Sequence, residues 1–91
     1  MECEWDPKKN QSNIQNHSGI DFADALFVFE DEHEITVRDE AEGTEERFIT
    51  LGMDNKARLL VVVFTYRGDI IRIISARLAE PRERKLYEER L

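Results

Sequence analysis

The chain has 91 residues, enough for one small domain whose core is near the lower limit of what folds alone. Its net charge of −7 argues against a uniformly basic nucleic-acid binder, but the charge is uneven. Residues 1–46 hold 3 Lys/Arg against 14 Asp/Glu, whereas residues 47–91 hold 10 against 6. No stretch reaches membrane-span length, no apolar signal segment is present, and the lone Cys3 excludes an internal disulfide. We therefore expect a cytoplasmic protein of one domain, residues 1–91, without membrane contact.

The first helix is predicted directly after a short extended start. Asp6-Pro7 is typical of a helix start, because Asp caps free N–H groups and Pro suits the first helical position. The helix runs to about His17 and has almost no apolar face. Lys9, Asn13 and His17 recur every four residues and form one polar stripe. That stripe is either a solvent face or a functional surface.

A second helix and an acidic segment follow. Ser18-Gly19 ends the first helix, and Asp21 can cap the next one. The apolar residues of this second helix recur at helical spacing: Phe22, Ala25, Leu26 and Phe29. Residues 30–46 then carry nine acids in seventeen positions, and Glu34–Arg38 alternates within them like a half-buried strand. Asp39–Glu45 predicts a polar loop.

The second half of the chain predicts three strands and a last helix. Arg47–Met53 alternates in polarity, and Asp54–Lys56 is a turn that leads into the most apolar part of the chain. Pro81 marks the start of the final helix. The order β-α-α-β-β-β-β-α is typical of an α+β protein. We expect a small antiparallel sheet of about four to five strands, with two N-terminal helices and one C-terminal helix.

The two strands around the Arg67–Asp69 turn form the centre of the predicted sheet. If Gly68-Asp69 is a two-residue loop, Thr65 lies opposite Arg72. Uninterrupted alternation then places Thr65, Arg67 and Arg72 on one face, and Ser75 and Arg77 on the other. A guanidinium in an apolar strand requires a carboxylate, water or a ligand phosphate, and for Arg72 all three remain open.

The residue types limit the available chemistry. His17, His33 and Cys3 show no metal-ligand spacing, no glycine-rich phosphate loop is present, and no nucleophile-elbow motif appears, so we expect no metal or cofactor. The remaining Arg, Lys, His and Tyr side chains are compatible with metal-free RNA cleavage. In that reaction the 2′-OH of the substrate attacks the phosphate, and the protein supplies a base, cations and an acid.

Five segments between Trp5 and Glu89 together resemble the BrnT-type ribonuclease toxins. They are Trp5-Asp6-x-x-Lys9-x-x-x-Asn13-x-x-x-His17, Gly-Ile-x-Phe-x-x-Ala at 19–25, ERFITLG at 46–52, LLVVVFTYRG at 59–68 and RIISARLAEPRERKLYEE at 72–89. In one place the chain departs from the family pattern: Ser18 separates His17 from Gly19, which follow one another directly in many relatives.

The resemblance implies a small ribonuclease toxin with a RelE-like fold. It also implies a cognate antitoxin of ribbon-helix-helix (BrnA) type that neutralises the toxin and supplies the DNA contact when the complex represses its own promoter. Carried over to matching positions, it predicts these residues for RNA cleavage or its support: Lys9, His17, Arg47, Arg72, Arg77, Glu83 and Tyr87.

Two functions follow from this reading. The first is a metal-independent endoribonuclease, with mRNA as the expected substrate, that slows translation. Its arginines would stabilise the phosphate, His17 and Lys9 would assist proton transfer, and Glu83 and Tyr87 would orient groups. The second is a non-catalytic module that holds the antitoxin and acts in autoregulation, which the acidic segment 30–46 favours. Direct DNA binding is disfavoured, because no helix combines a basic face with dimer geometry.

Overall fold

A computed structural model describes residues 2–40 and 45–91 of the chain. It confirms the α+β class, with one five-stranded sheet and three α-helices. The elements in chain order are β1 Cys3–Glu4, α1 Pro7–Asn16, α2 Phe22–Ala25, a 3₁₀ helix Leu26–Glu30, β2 Ile35–Asp39, β3 Arg47–Met53, β4 Leu59–Arg67, β5 Ile70–Leu78 and α3 Pro81–Glu88. The predicted loop 39–45 falls largely outside the described residues. None of the described helices is long and apolar enough to cross a membrane.

The sheet has the strand order β1-β5-β4-β3-β2, with β4 at its centre. Strands β2 to β5 are antiparallel neighbours, and the short β1 is parallel to β5. The predicted β4–β5 hairpin is confirmed, because Thr65 pairs with Arg72 and Arg67 pairs with Ile70. Gly68 has a φ of +62°, the left-handed conformation that a two-residue hairpin loop requires.

The predicted face assignment of β5 is wrong beyond Arg72, because the β4–β5 ladder contains a β-bulge. Phe64 pairs with Ile73, but its neighbour Val63 pairs with Ser75, so Ile74 is an extra residue on β5. One extra residue reverses the side-chain alternation of everything that follows it. Ser75 and Arg77 therefore lie on the same face as Thr65 and Arg72.

The two faces of the sheet have separate apolar cores. One face, here called the helix face, is covered by the N-terminal helices. Its fully buried large residues include Ile20, Phe22, Phe64 and Ile73. The opposite face, here called the α3 face, carries a smaller core in which Tyr87 of α3 joins residues of β3 and β4: Leu51, Leu59 and Val61. Since α3 has only 8 residues, it covers one end of this face.

Helix α1 is attached to the edge of β5 by the side chain of Asn13, which is buried. Its Nδ2 donates to the carbonyl oxygens of Ile20 at 3.0 Å and Ala76 at 2.8 Å, and its Oδ1 accepts from the N–H of Ala76 at 3.0 Å. The side-chain amide thus occupies the place of a neighbouring strand at Ala76. The polar stripe of α1 is therefore only partly a solvent face.

Local capping explains where the first two helices begin. The carboxylate of Asp6 accepts from the N–H of Lys8 at 2.9 Å, and that of Asp21 accepts from the N–H of Ala23 at 2.9 Å. Helix α1 ends at Asn16, and two left-handed residues follow its cap His17: Ser18 at φ 54° and Gly19 at φ 74°. Both predicted caps and the predicted helix end are confirmed.

Candidate functional site

Three polar side chains of β5 lie on the α3 face, two of them because of the bulge. They are Arg72, Ser75 and Arg77, all of which are half-buried. On this face Arg72 lies across from Thr65. Without the bulge, Ser75 and Arg77 would point into the helix-face core, where Ala76 is fully buried.

Arg47 extends the same polar row across β4 to β3. It precedes Phe48, which pairs with Phe64, so the ladder places Arg47 beside Thr65. The Thr65 hydroxyl donates to the carbonyl oxygen of Glu46 at 2.6 Å, which ties β4 to this end of β3. Arg47 and Arg72 are thus two strands apart, roughly 10 Å between Cα atoms. That separation allows both guanidiniums to contact adjacent phosphates of one polynucleotide.

Two of these arginines are paired with carboxylates of the chain. A nitrogen of Arg72 (Nη1) contacts Glu4 Oε2, and Glu4 is the β1 residue that pairs with Arg72 across the sheet edge. Both partners stay accessible, with 29% of the Arg72 side chain and 37% of the Glu4 side chain exposed. Within residues 2–40 and 45–91, no ion pair involves Arg47, which is exposed.

Arg77 and Glu83 form a bidentate pair that joins the end of β5 to the start of α3. Nη1 and Nη2 of Arg77 lie 2.8 Å from Oε1 and Oε2 of Glu83. Hydrogen bonding to Arg77 lowers the pKa of the Glu83 carboxyl, and the same contact raises the pKa of Arg77. Glu83 Oε1 also accepts from the N–H of Glu80 at 2.8 Å as part of a capping box, so Glu83 both starts the helix and orients the guanidinium.

Lys9 and His17 lie on a separate but neighbouring feature, here called the α1–β5 groove. It is an open groove of about 190 Å³ between the outer side of α1 and the bulged part of β5. Its lining consists of Lys9, Ser12, Asn13, Asn16, His17, Ile74 and Ser75. Among these residues there are hydrogen-bond donors and no carboxylate, in a chain whose net charge is −7. This lining favours an anionic ligand.

Ser75 connects the groove to the arginine row. It lines the α1–β5 groove and also lies on β5 between Arg72 and Arg77. The extra Ser18 does not remove His17 from this groove, because left-handed Ser18 and Gly19 absorb the turn after α1. Four of the predicted residues thus lie around β5, namely Lys9, His17, Arg72 and Arg77, and Arg47 lies two strands away on the α3 face.

Tyr87 is placed differently from the other predicted residues. It is the buried residue of α3, and its hydroxyl donates to Asp31 Oδ2 at 2.5 Å. Burial and the neighbouring Asp31 carboxylate raise the pKa of Tyr87 to about 12. Asp31 also accepts from the N–H groups of Met53 and His33, both at 2.9 Å. These hydrogen bonds outweigh burial and lower the pKa of Asp31.

Sequence reasoning missed three contributors to this region. Glu4 was not singled out, because the parallel pairing of β1 with β5 has no local signal. Ser75 was assigned to the wrong face, because a bulge in a strand without glycine leaves no mark in the residue pattern. Asn13 belongs to the polar stripe and to the family motif, but its spacing alone does not show that it binds the backbone of β5.

Comparison with known proteins identifies the class to which this chain belongs: ribonuclease toxins of type II toxin–antitoxin systems. The family model described as "Ribonuclease toxin, BrnT, of type II toxin-antitoxin system" matches residues 5–83. The chain belongs to this BrnT family, and membership implies an antitoxin partner.

A solved structure supports the same assignment. The chain is similar to the ribonuclease toxin BrnT of Brucella abortus, with 29% sequence identity and a TM-score of 0.65. The match covers 88% of this chain and 97% of that one. No protein in the curated set matches the chain significantly.

Proposed function

We propose that this chain is an endoribonuclease that cleaves single-stranded RNA, mRNA in the cell, without a metal ion. The observation that carries the proposal is the β-bulge at Ile74, which places Arg72, Ser75 and Arg77 on one face beside the carboxylate-free α1–β5 groove. Cations on a strand and donors in an adjacent groove match a polyanion that runs along β5.

The chemistry uses the substrate's own 2′-hydroxyl. Its oxygen forms a bond to the adjacent phosphorus while the bond from phosphorus to the 5′-oxygen breaks, leaving a 2′,3′-cyclic phosphate and a 5′-hydroxyl. A base accepts the 2′-OH proton, and an acid protonates the leaving oxygen. His17, assisted by Lys9, serves this proton transfer, since an imidazole nitrogen can accept or donate a proton. Arg47, Arg72 and Arg77 stabilise the charge on the phosphorane oxygens.

Residues of α3 support this site indirectly. Glu83 orients Arg77 through its bidentate contact, and Tyr87 anchors α3 through Asp31. We therefore assign both as positioning residues. Arg77 must exchange one carboxylate contact for a phosphate contact when RNA binds, and the 38% exposure of its side chain leaves room for that exchange.

The test measures cleavage of a labelled single-stranded RNA by the purified chain in excess EDTA. Arg72→Ala and His17→Ala are each expected to reduce the rate by about 10²-fold or more, the usual loss for a donor to the transition state or a proton-transfer group. Lys9→Ala should also slow cleavage, and Lys8→Ala is its matched control, because Lys8 is exposed on the same helix and does not line the groove. Equal cleavage rates for the wild type and all of these variants would exclude Arg72, His17 and Lys9 from the reaction.

The ion pairs of Arg72 and Arg77 favour a second candidate function. If Glu4 and Glu83 hold these guanidiniums permanently, the chain is a non-catalytic module that binds the antitoxin and acts in autoregulation. Under the nuclease proposal, a ribbon-helix-helix antitoxin neutralises cleavage, and the complex represses its promoter through antitoxin contacts to DNA. RNA cleavage in EDTA that the antitoxin inhibits would exclude the non-catalytic function. Antitoxin binding without any RNA cleavage by the purified chain would exclude the nuclease function.

A further inference from the structure

An aliphatic groove lies on the α3 face, on the side of the sheet away from β5. Its volume is about 250 Å³, and it is lined by Ile35, Val37, Ile49, Leu51, Val61 and Leu86, with Glu83 as its one polar lining residue. Val37 is 53% exposed and Leu86 is 54% exposed. Strands β2, β3 and β4 supply the floor and α3 one wall. Exposed apolar residues that cluster in a concave surface mark an interaction site more often than scattered ones do.

The composition of this groove favours a polypeptide over a nucleic acid. No aromatic side chain is among its described lining residues, so it offers no surface on which a base can stack. It also contains no cation to hold a phosphate. Aliphatic side chains of a protein partner match such a lining, since they gain by leaving water and require no hydrogen bonds.

The charge around the groove defines the partner further. Strand β2, which supplies Ile35 and Val37, lies within the segment 30–46, where nine Asp/Glu stand against the single Arg38. Described carboxylates of this segment are mostly exposed, for example Glu32 with 86% of its side chain accessible. Strand β2 is also an edge of the sheet, and an edge strand offers its outer backbone to another chain. The complementary partner is basic and aliphatic.

We propose that this groove, together with the edge of β2, is the docking surface for a basic segment of the antitoxin that inserts aliphatic side chains between β2, β3 and α3. The proposal rests on the proposed function only for the existence of that antitoxin. Glu83 lines the groove and also holds Arg77. An occupant that reaches Glu83 therefore lies beside the proposed RNA surface and blocks access to Arg77, which explains neutralisation without any contact to His17 or Lys9.

The test compares Val37→Asp and Leu86→Asp with the matched control Leu91→Asp, because Leu91 is 71% exposed and lies outside the groove. The probe is the purified product of the reading frame that adjoins this gene, and its dissociation constant is measured by calorimetry. We expect each groove variant to weaken binding by at least 30-fold and Leu91→Asp by less than threefold. RNA cleavage by all three variants should stay within twofold of wild type, and should resist the antitoxin in the groove variants.

Three results would overturn the docking proposal. The first is unchanged affinity in both groove variants, or no complex between the wild-type chain and the probe. The second is a loss of RNA binding in those variants with antitoxin binding intact. The third is a wild-type dimer that both variants convert to a monomer, which would make a second copy of this chain the occupant. If the groove variants bind the antitoxin more weakly but the wild-type chain never cleaves RNA, the docking proposal holds and the nuclease proposal fails. Thermal unfolding of each variant checks that it is folded.

Discussion

At the scale of single residues, Asn13 contributes more to the stability of the fold than its place in a polar helix indicates. Its buried side chain makes three hydrogen bonds to backbone groups, and two of them satisfy the N–H and C=O of Ala76. Asn13→Ala would leave both groups of Ala76 without partners. We expect a loss of about 2–4 kcal/mol in the free energy of unfolding, measured in urea. Asn16→Ala, an exposed amide on the same helix, should cost less than about 0.5 kcal/mol; similar losses for both would contradict this account.

Tyr87 gives a prediction about pH. Its pKa is about 12 in the folded protein and near 10 in an unfolded chain, so folding favours the neutral hydroxyl. The resulting stabilisation is complete below pH 10 and is lost as the pH rises to 12. It amounts to about 2–3 kcal/mol. Tyr87→Phe should therefore remove that part of the decline in unfolding free energy between pH 10 and 12.

Tyr66→Phe is the control for this measurement, because Tyr66 is the other tyrosine and is 51% exposed. It retains Tyr87 and every other ionisable side chain of the protein. An alkaline decline that is equally steep in wild type and in both variants would show that the Tyr87–Asp31 contact does not favour folding.

At the scale of elements, the close packing of β3 against the 3₁₀ helix depends on Gly52. A Cβ atom added at Gly52 would lie 3.1 Å from both the Cβ and the carbonyl oxygen of Val28, which belongs to that helix. Because one of these atoms is backbone, the helix must shift to make room. Gly52→Ala should lower the free energy of unfolding by about 1–3 kcal/mol, and Gly52→Val by more. Calorimetric unfolding measures both, and a Gly52→Ala protein as stable as wild type would contradict the close contact.

The elements themselves could be predicted from the sequence, since capping residues and alternation are local. Asp6 and Asp21 begin their helices where the pattern places them, and Thr65 pairs with Arg72 as the Gly68-Asp69 loop requires. The faces could not be predicted throughout. The extra residue Ile74 reverses the side-chain alternation of β5. Only after that reversal can Ala76 lie beneath α1 and Arg77 reach Glu83. Those are tertiary contacts. The candidate site was therefore predicted by residue, through the family motif, and not by geometry.

At the scale of the whole molecule, the acidic segment 30–46 and the arginines of β5 lie on different sides of the sheet. Strand β2, in the acidic segment, is an edge strand, and β5 with its arginines lies three strands away, roughly 14 Å. This distance exceeds the screening length of about 8 Å at physiological salt. The acidic segment 30–46 therefore does not prevent an anion from binding at β5. The two sides of the sheet are thus suited to opposite partners: a polyanion at β5 and a basic protein at β2.

This separation predicts how RNA binding depends on salt. A 2′-O-methyl RNA cannot undergo the cleavage reaction, so its affinity for the chain can be measured at equilibrium over a range of salt concentrations. Each phosphate contact contributes about 0.7 to the slope of log affinity against log salt for a single strand. Arg47→Ala, Arg72→Ala and Arg77→Ala should each lower that slope by about 0.7, whereas Arg90→Ala, an exposed arginine beyond α3, should leave it unchanged. If Glu4 and Glu83 retain their arginines when RNA is bound, the slope will not respond to Arg72→Ala or Arg77→Ala, and the polyanion must then be held elsewhere than along β5.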